Sequence, residues 1–102
     1  MDDTLQYETL LRHLNTKFHV SLDDSNTVEI ELVKVGERNV SPQQERFSIF
    51  FEGPLVPAVP QGTYSFTHEV MGTFLLFIVP IEHKGNGIRY EAVFNRLTKP
   101  TS

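Results

Sequence analysis

The stretch Phe74-Leu75-Leu76-Phe77-Ile78-Val79 decides how this chain is read. It is a short apolar run with Gly72 before it and Pro80 after it. Such a run between turn signals reads as a buried strand. It is far too short to span a bilayer. Successive side chains on a strand point to opposite faces. Phe74, Leu76 and Ile78 therefore share one face, and Leu75, Phe77 and Val79 the other. An antiparallel sheet ordinarily keeps one face wet, so the second face needs a cover. Phe50 and Val93 are expected to join that second face from other strands. The cover is either an N-terminal helix or another chain.

Working outward, the same period of two recurs. Tyr64, Phe66 and His68 alternate with Ser65, Thr67 and Glu69 just before the run, and Met71-Gly72 reads as the intervening hairpin turn. After it, Lys84-Gly85-Asn86-Gly87 is a second hairpin turn, and Ile88, Tyr90, Ala92 and Phe94 alternate with Arg89, Glu91, Val93 and Asn95. Pro80 is expected to end the central strand, because proline removes a ladder donor. Further upstream, Phe47, Ile49 and Phe51 form one face of a strand that Gly53-Pro54 stops. The prolines at 54, 57 and 60 make the segment to Gly62 a rigid loop ending in the turn Pro60-Gln61-Gly62. Phe18, Val20 and Leu22 give a first strand, and Val28, Ile30 and Leu32 a second. The alternation slips at Leu32-Val33, which suggests a bulge.

Residues 1–15 read as an amphipathic helix. Asp3 has capping-box spacing to Gln6, and Tyr7, Leu10, Leu11 and Leu14 fall on one face. The expected organisation is one domain: a helix over 1–15, a β domain over 16–97 and a frayed tail over 98–102. Strands that follow one another without intervening helices argue against a parallel βαβ sheet. The fold class is mainly β: a small six-stranded antiparallel barrel or sandwich with one N-terminal α-helix.

Composition narrows the function classes. The chain has 102 residues, a formal net charge of −4, and its nine Lys and Arg are scattered. Phosphate recognition needs a basic stripe, so neither nucleic acid nor an anionic membrane is the expected partner. The absence of cysteine removes disulfides, thiolate metal sites and Cys nucleophiles. No signal peptide is visible, so the expected location is the cytoplasm or an assembled particle.

Candidate chemistry is sparse. His13, His19, His68 and His83 include no H-x-H, HExxH or H-x₃-H pair, so no metal site is expected. His68 shares a face with Tyr64 and Phe66 and reads as a hydrogen-bonded, semi-buried imidazole. Asp23-Asp24-Ser25-Asn26 lacks the spacing, glycine and distal glutamate of an EF-hand loop and reads as a hairpin turn. No phosphate cradle or nucleophile elbow is present, and no cofactor is implied. A Glu52–Glu91 acid–base pair is compatible with the sequence but has no motif behind it. His68 and Glu91 are the polar residues chosen for testing.

Phe47-Ser48-Ile49-Phe50-Phe51-Glu52-Gly53-Pro54, Pro60-Gln61-Gly62-Thr63-Tyr64, Phe77-Ile78-Val79-Pro80 and Tyr90-Glu91-Ala92-Val93-Phe94-Asn95, together with His68 and Gly72, carry a resemblance. In F-x-G-P, P-Q-G-x-Y and Y-E-A-V-F-N form they resemble an uncharacterised bacterial family of domains of unknown function, over roughly residues 46–95. The resemblance implies an association with genes for phage-tail-like or collar-type proteins, and no catalytic residue.

Two functions are weighed on this basis. The first is a non-enzymatic interaction or assembly domain that binds a protein partner or itself through Tyr7, Leu10, Leu11, Leu14, Leu75 and Phe77. The second is a small-molecule-binding barrel with its aromatic interior as the pocket. A hydrolase or isomerase using His68 and a carboxylate is a distant third.

Overall fold

The alternating segments become strands. The computed structural model describes residues 6–97, and among them it holds one helix and seven strands. These are α1 (Tyr7–Arg12), β1 (Lys17–Ser21), β2 (Thr27–Val35), β3 (Asn39–Val40), β4 (Gln44–Pro54), β5 (Gly62–His68), β6 (Gly72–Lys84) and β7 (Gly87–Leu97). The sheet order is β2-β1-β5-β6-β7-β4-β3, and β2 pairs back onto β4. That last pairing closes six strands into an antiparallel barrel and leaves β3 as a short ribbon on β4. Closure removes the open edges that a sheet would otherwise expose.

Local chemistry fixes the turns. Asp23 Oδ1 accepts hydrogen bonds from the backbone N–H groups of Ser25 and Asn26 at 2.9 and 3.0 Å. This is an Asx turn, and those bonds with the Asn26 side chain hold the exposed Asp23 carboxyl below its ordinary pKa. Gly72 and Gly85 take positive φ in the two later hairpins. The slip at Leu32-Val33 is a bulge, since the β2–β4 register shifts between Leu32 and Lys34.

The inward rows meet in one core. Phe18, Val20, Ile30, Leu32, Ile49, Phe51, Phe66, Ile78 and Tyr90 are all buried. An eight-stranded barrel has just enough width for its side chains, so six strands carrying this many rings leave the interior full. Edge-to-face contacts join Phe18 to Phe51 at 5.4 Å, and Phe66 stacks on Phe74 at 5.9 Å.

Each mouth of the barrel has its own plug. At one mouth, α1 lies across the opening. Leu10 is wholly buried, the Tyr7 ring meets Phe47 of β4 at 5.0 Å, and the His13 ring meets His68 of β5 at 4.8 Å. At the other mouth, the proline-rich loop folds inward. Val59 is buried there, and its N–H donates to the Tyr90 hydroxyl at 2.9 Å. Gly53 allows β4 to pass close to β2, because a Cβ at that position would stand 2.5 Å from Ile30 Cγ2.

Three expectations need correction. The helix is one and a half turns long, not fifteen residues, and begins after Gln6 with no side-chain cap. The expected cap, Asp3, lies outside the described residues, as does the tail over 98–102. The helix ends early because the chain turns at once into the sheet: Asn15 adopts φ 68° and its N–H donates to Leu32 O at 2.7 Å. Pro80 does not end β6. It pairs with Tyr90, and the register shifts between Pro80 and Glu82, so an irregularity carries the strand on to Lys84. Finally, α1 does not cover the second face of β6; its apolar side chains fill the mouth instead.

Candidate functional site

Two surface features come from this framework. The first is the outward face of β6 and β7. Leu75 is 68% exposed, Phe77 49% and Val93 50%, whereas their inward neighbours Phe74, Leu76 and Ile78 are buried. Phe50 lies on this outward side as the alternation suggested, in the row it shares with Glu91 and Val79, but adds little open surface. It is half-buried, with the Lys34 ammonium 5.7 Å and the Arg89 guanidinium 5.8 Å from its ring centre. Their aliphatic stems and charges screen the ring, so the open apolar surface before the Pro80 irregularity is carried by Leu75, Phe77 and Val93, with Ile81 of β6 exposed at the irregularity itself.

The other residues expected at an interaction surface separate. Leu10 belongs to the core, and Tyr7 and Leu14 pack against it. Only Leu11 of that helical set is exposed. Tyr7 is held further by its hydroxyl, which donates to Gly36 O at 3.2 Å, and by the Arg38 guanidinium over its ring. Thus the helix face and the Leu75–Phe77 face are not one surface.

The second feature is a cleft of about 500 Å³ beside the α1-plugged mouth, lined by His13, Lys17, His19, Glu29, His68 and Glu69 among others. His19 stands across from Glu29 on β2 and Thr67 on β5, so the strand register itself brings these groups together. His68 is 5% exposed. Its Nδ1 accepts from the backbone N–H groups of Val70 and Met71 at 3.0 and 3.1 Å. Nε2 therefore carries the proton and donates to Thr16 Oγ1 at 2.9 Å, while the Thr16 hydroxyl donates to His13 O at 2.6 Å. Burial pushes the His68 pKa down, the neighbouring His13 adds to that, and Glu69 opposes it.

This geometry bears on catalysis. The hydrogen-bond partners of His68 are a hydroxyl and two backbone amides, none of them a carboxylate. Glu91 is on the outside of β7, opposite Phe50 and Val79, and His68 is turned into the barrel mouth. The two polar candidates are therefore not brought together. Glu52 forms an ion pair with Arg89 at 3.2 Å. Among the described residues, no group of three or more His, Asp or Glu side chains is arranged to hold a metal ion.

One buried polar residue went unnoticed in the sequence. Glu45 is 7% exposed and accepts from Arg38 Nε at 2.7 Å and Arg96 Nε at 3.3 Å. The signal was present: stepping back by two from Phe47 places Glu45 on the inward face.

A family model for a domain of unknown function, DUF6916, matches residues 5–94. The chain belongs to the DUF6916 family. The match reaches well beyond residues 46–95 and takes in α1 and the first two strands, so the DUF6916 unit includes the helix plug as well as the barrel. No curated protein and no solved structure matches the chain. Among the described residues no helix is long and apolar enough to cross a membrane.

Proposed function

We propose that this DUF6916 domain is a non-enzymatic interaction module that docks a protein partner on the outer face of β6 and β7. The observation that carries this reading is the exposure of Leu75, Phe77 and Val93 on adjacent strands of a barrel whose interior is already full. Single exposed apolar side chains are ordinary, but clustered ones mark contact surfaces. The resemblance noted in the sequence supplies the partner class: a structural component of a phage-tail-like or surface assembly.

The test is purification of the tagged protein from its native host, as wild type and as Leu75→Ser/Phe77→Ser. A structural component recovered in stoichiometric amount with wild type and lost with the variant supports docking on this face. Recovery of a monomer without such a component refutes it.

A second reading has one observation in its favour. The cleft beside His68 has the volume of a small-ligand site, which runs from about 300 to 1,000 Å³. A small molecule would then bind at the mouth of the barrel and not in its aromatic interior. A ligand that shifts the His13, His19 and His68 ring resonances, and leaves those of Phe77 unmoved, would favour this reading.

A further inference from the structure

We propose that His68 is a proton-controlled latch, fastening the β5–β6 turn to the α1–β1 junction when neutral and releasing the turn when protonated. The proposal rests on the direction of four hydrogen bonds. Two backbone N–H groups, of Val70 and Met71, converge on Nδ1. Both are donors, so Nδ1 must present a lone pair. Nε2–H points to Thr16, whose own hydroxyl proton is committed to His13 O. The ring thus joins the turn at 69–71 to the residues that lead out of the helix.

Protonation acts at one atom. A proton on Nδ1 replaces the lone pair with a third donor facing two donors. Both turn bonds are lost together, and the Nε2–Thr16 bond survives. The latch therefore opens on the turn side alone. Beyond these bonds the turn is held by Met71, which packs against the core, and by the ladder pairs that flank it. Val70 is exposed and Gly72, its neighbour after Met71, sits at φ 85° with open space around it. Part-buried amides facing a new donor are unfavourable, and Val70 is already at the surface, so this end of the turn moves out to water.

The charged surroundings set when this happens. His13, just after α1, meets the His68 ring at 4.8 Å and disfavours positive charge on it. Glu69, the next residue along, favours it. Lys17 and His19 of β1 and Glu29 of β2 line the same cleft. Phe18 of β1 covers the ring at 4.5 Å, and β6 offers only Gly72 opposite His68. Burial and the adjacent imidazole outweigh Glu69, so the latch stays shut at neutral pH and opens only below the ordinary histidine range. Val70 lines the cleft, so opening the turn also reshapes the cleft.

Amide hydrogen exchange of the whole chain, followed by NMR from pH 8 down through the His68 ring titration and corrected for intrinsic exchange, reads the latch directly. Protection at Val70 and Met71 is expected to fall about tenfold across this range, in step with the His68 ring titration, while core amides such as Leu32 hold. The variant His68→Asn keeps an acceptor near Nδ1 but cannot take up the proton, so its turn protection should not change with pH. Unchanged Val70 and Met71 protection in wild type overturns the proposal. So does a loss shared equally by the core amides, which is global acid unfolding, or an equal pH response in a folded His68→Asn. The wild-type titration decides alone if that variant does not fold.

Discussion

β6 carries two apolar faces of similar composition that have met opposite fates. Phe74, Leu76 and Ile78 point inward and are buried, while Leu75 and Phe77 point outward and stay in contact with water. Hydrophobicity alone does not separate these rows; position relative to barrel closure does. The inward row had no choice once β2 paired with β4. Among the described residues the outward row has no covering layer, because α1 is committed to plugging a mouth. Burial on the inner face is thus dictated by folding, and exposure on the outer face is what the proposed docking would use.

The largest test of that contrast uses neighbours in sequence. Ile78→Ala leaves a void in a filled barrel and should cost roughly 2–5 kcal/mol. Urea denaturation of the two proteins checks it. A loss below about 1 kcal/mol would mean that the inner face is loosely packed, contrary to the full interior described above.

A second test sharpens the inner face, where polar atoms must be matched as well as volume. Tyr90 is buried, and burial raises its phenol pKa even though the Val59 N–H donated to it pulls the other way. Tyr90→Phe keeps the ring and leaves the Val59 amide with no acceptor. The expected loss is about 1–3 kcal/mol, the cost of a buried unsatisfied donor. A neutral result would show that the proline-rich loop rehydrates freely and does not act as a plug.

The third test concerns pH, and the direction follows from His68. Its folded pKa lies below its ordinary value near 6.5, mainly through burial. On acidification the unfolded chain therefore takes up this proton before the folded one. The stability that His68 contributes is complete above about pH 6.5 and is lost as pH falls from there through the folded value. Denaturation midpoints at pH 8 and pH 5 should drop in that order, and His68→Asn should flatten the drop. A midpoint that rises in acid would mean that the fold favours the His68 imidazolium, against the neutral ring that its hydrogen bonds require.

Much of this was legible in the sequence. The alternation at Phe47, Ile49 and Phe51, and at Ile88, Tyr90, Ala92 and Phe94, predicted which side chains are buried, because a strand's period is fixed by its geometry. Asp23, Gly72 and Gly85 marked their turns for equally local reasons. What could not be read was long-range. The closing pairing of β2 with β4 joins Glu31 to Glu52, and nothing in either segment announces the other. The partnership of His68 with Thr16 spans 52 positions, so the imidazole could be placed on the inward face but its hydrogen bonds could not. The missing N–H of Pro80 does not stop the strand, because an irregularity between Pro80 and Glu82 lets it pass, and no local signal marks that irregularity.

The smallest expected stability effect is the most informative about function. Leu75→Ser/Phe77→Ser changes two side chains that already face water, so unfolding free energy should move by no more than about 0.5 kcal/mol per site. The same double change should abolish partner recovery if the outer face is the docking surface. Stability and binding are thereby uncoupled on this face and coupled on the inner one, where Ile78→Ala would impair both. If Leu75→Ser/Phe77→Ser instead destabilised the domain as much as Ile78→Ala does, the outer row would belong to the fold. If it left both stability and partner recovery intact, the binding surface would have to be sought elsewhere, first at the cleft beside His68.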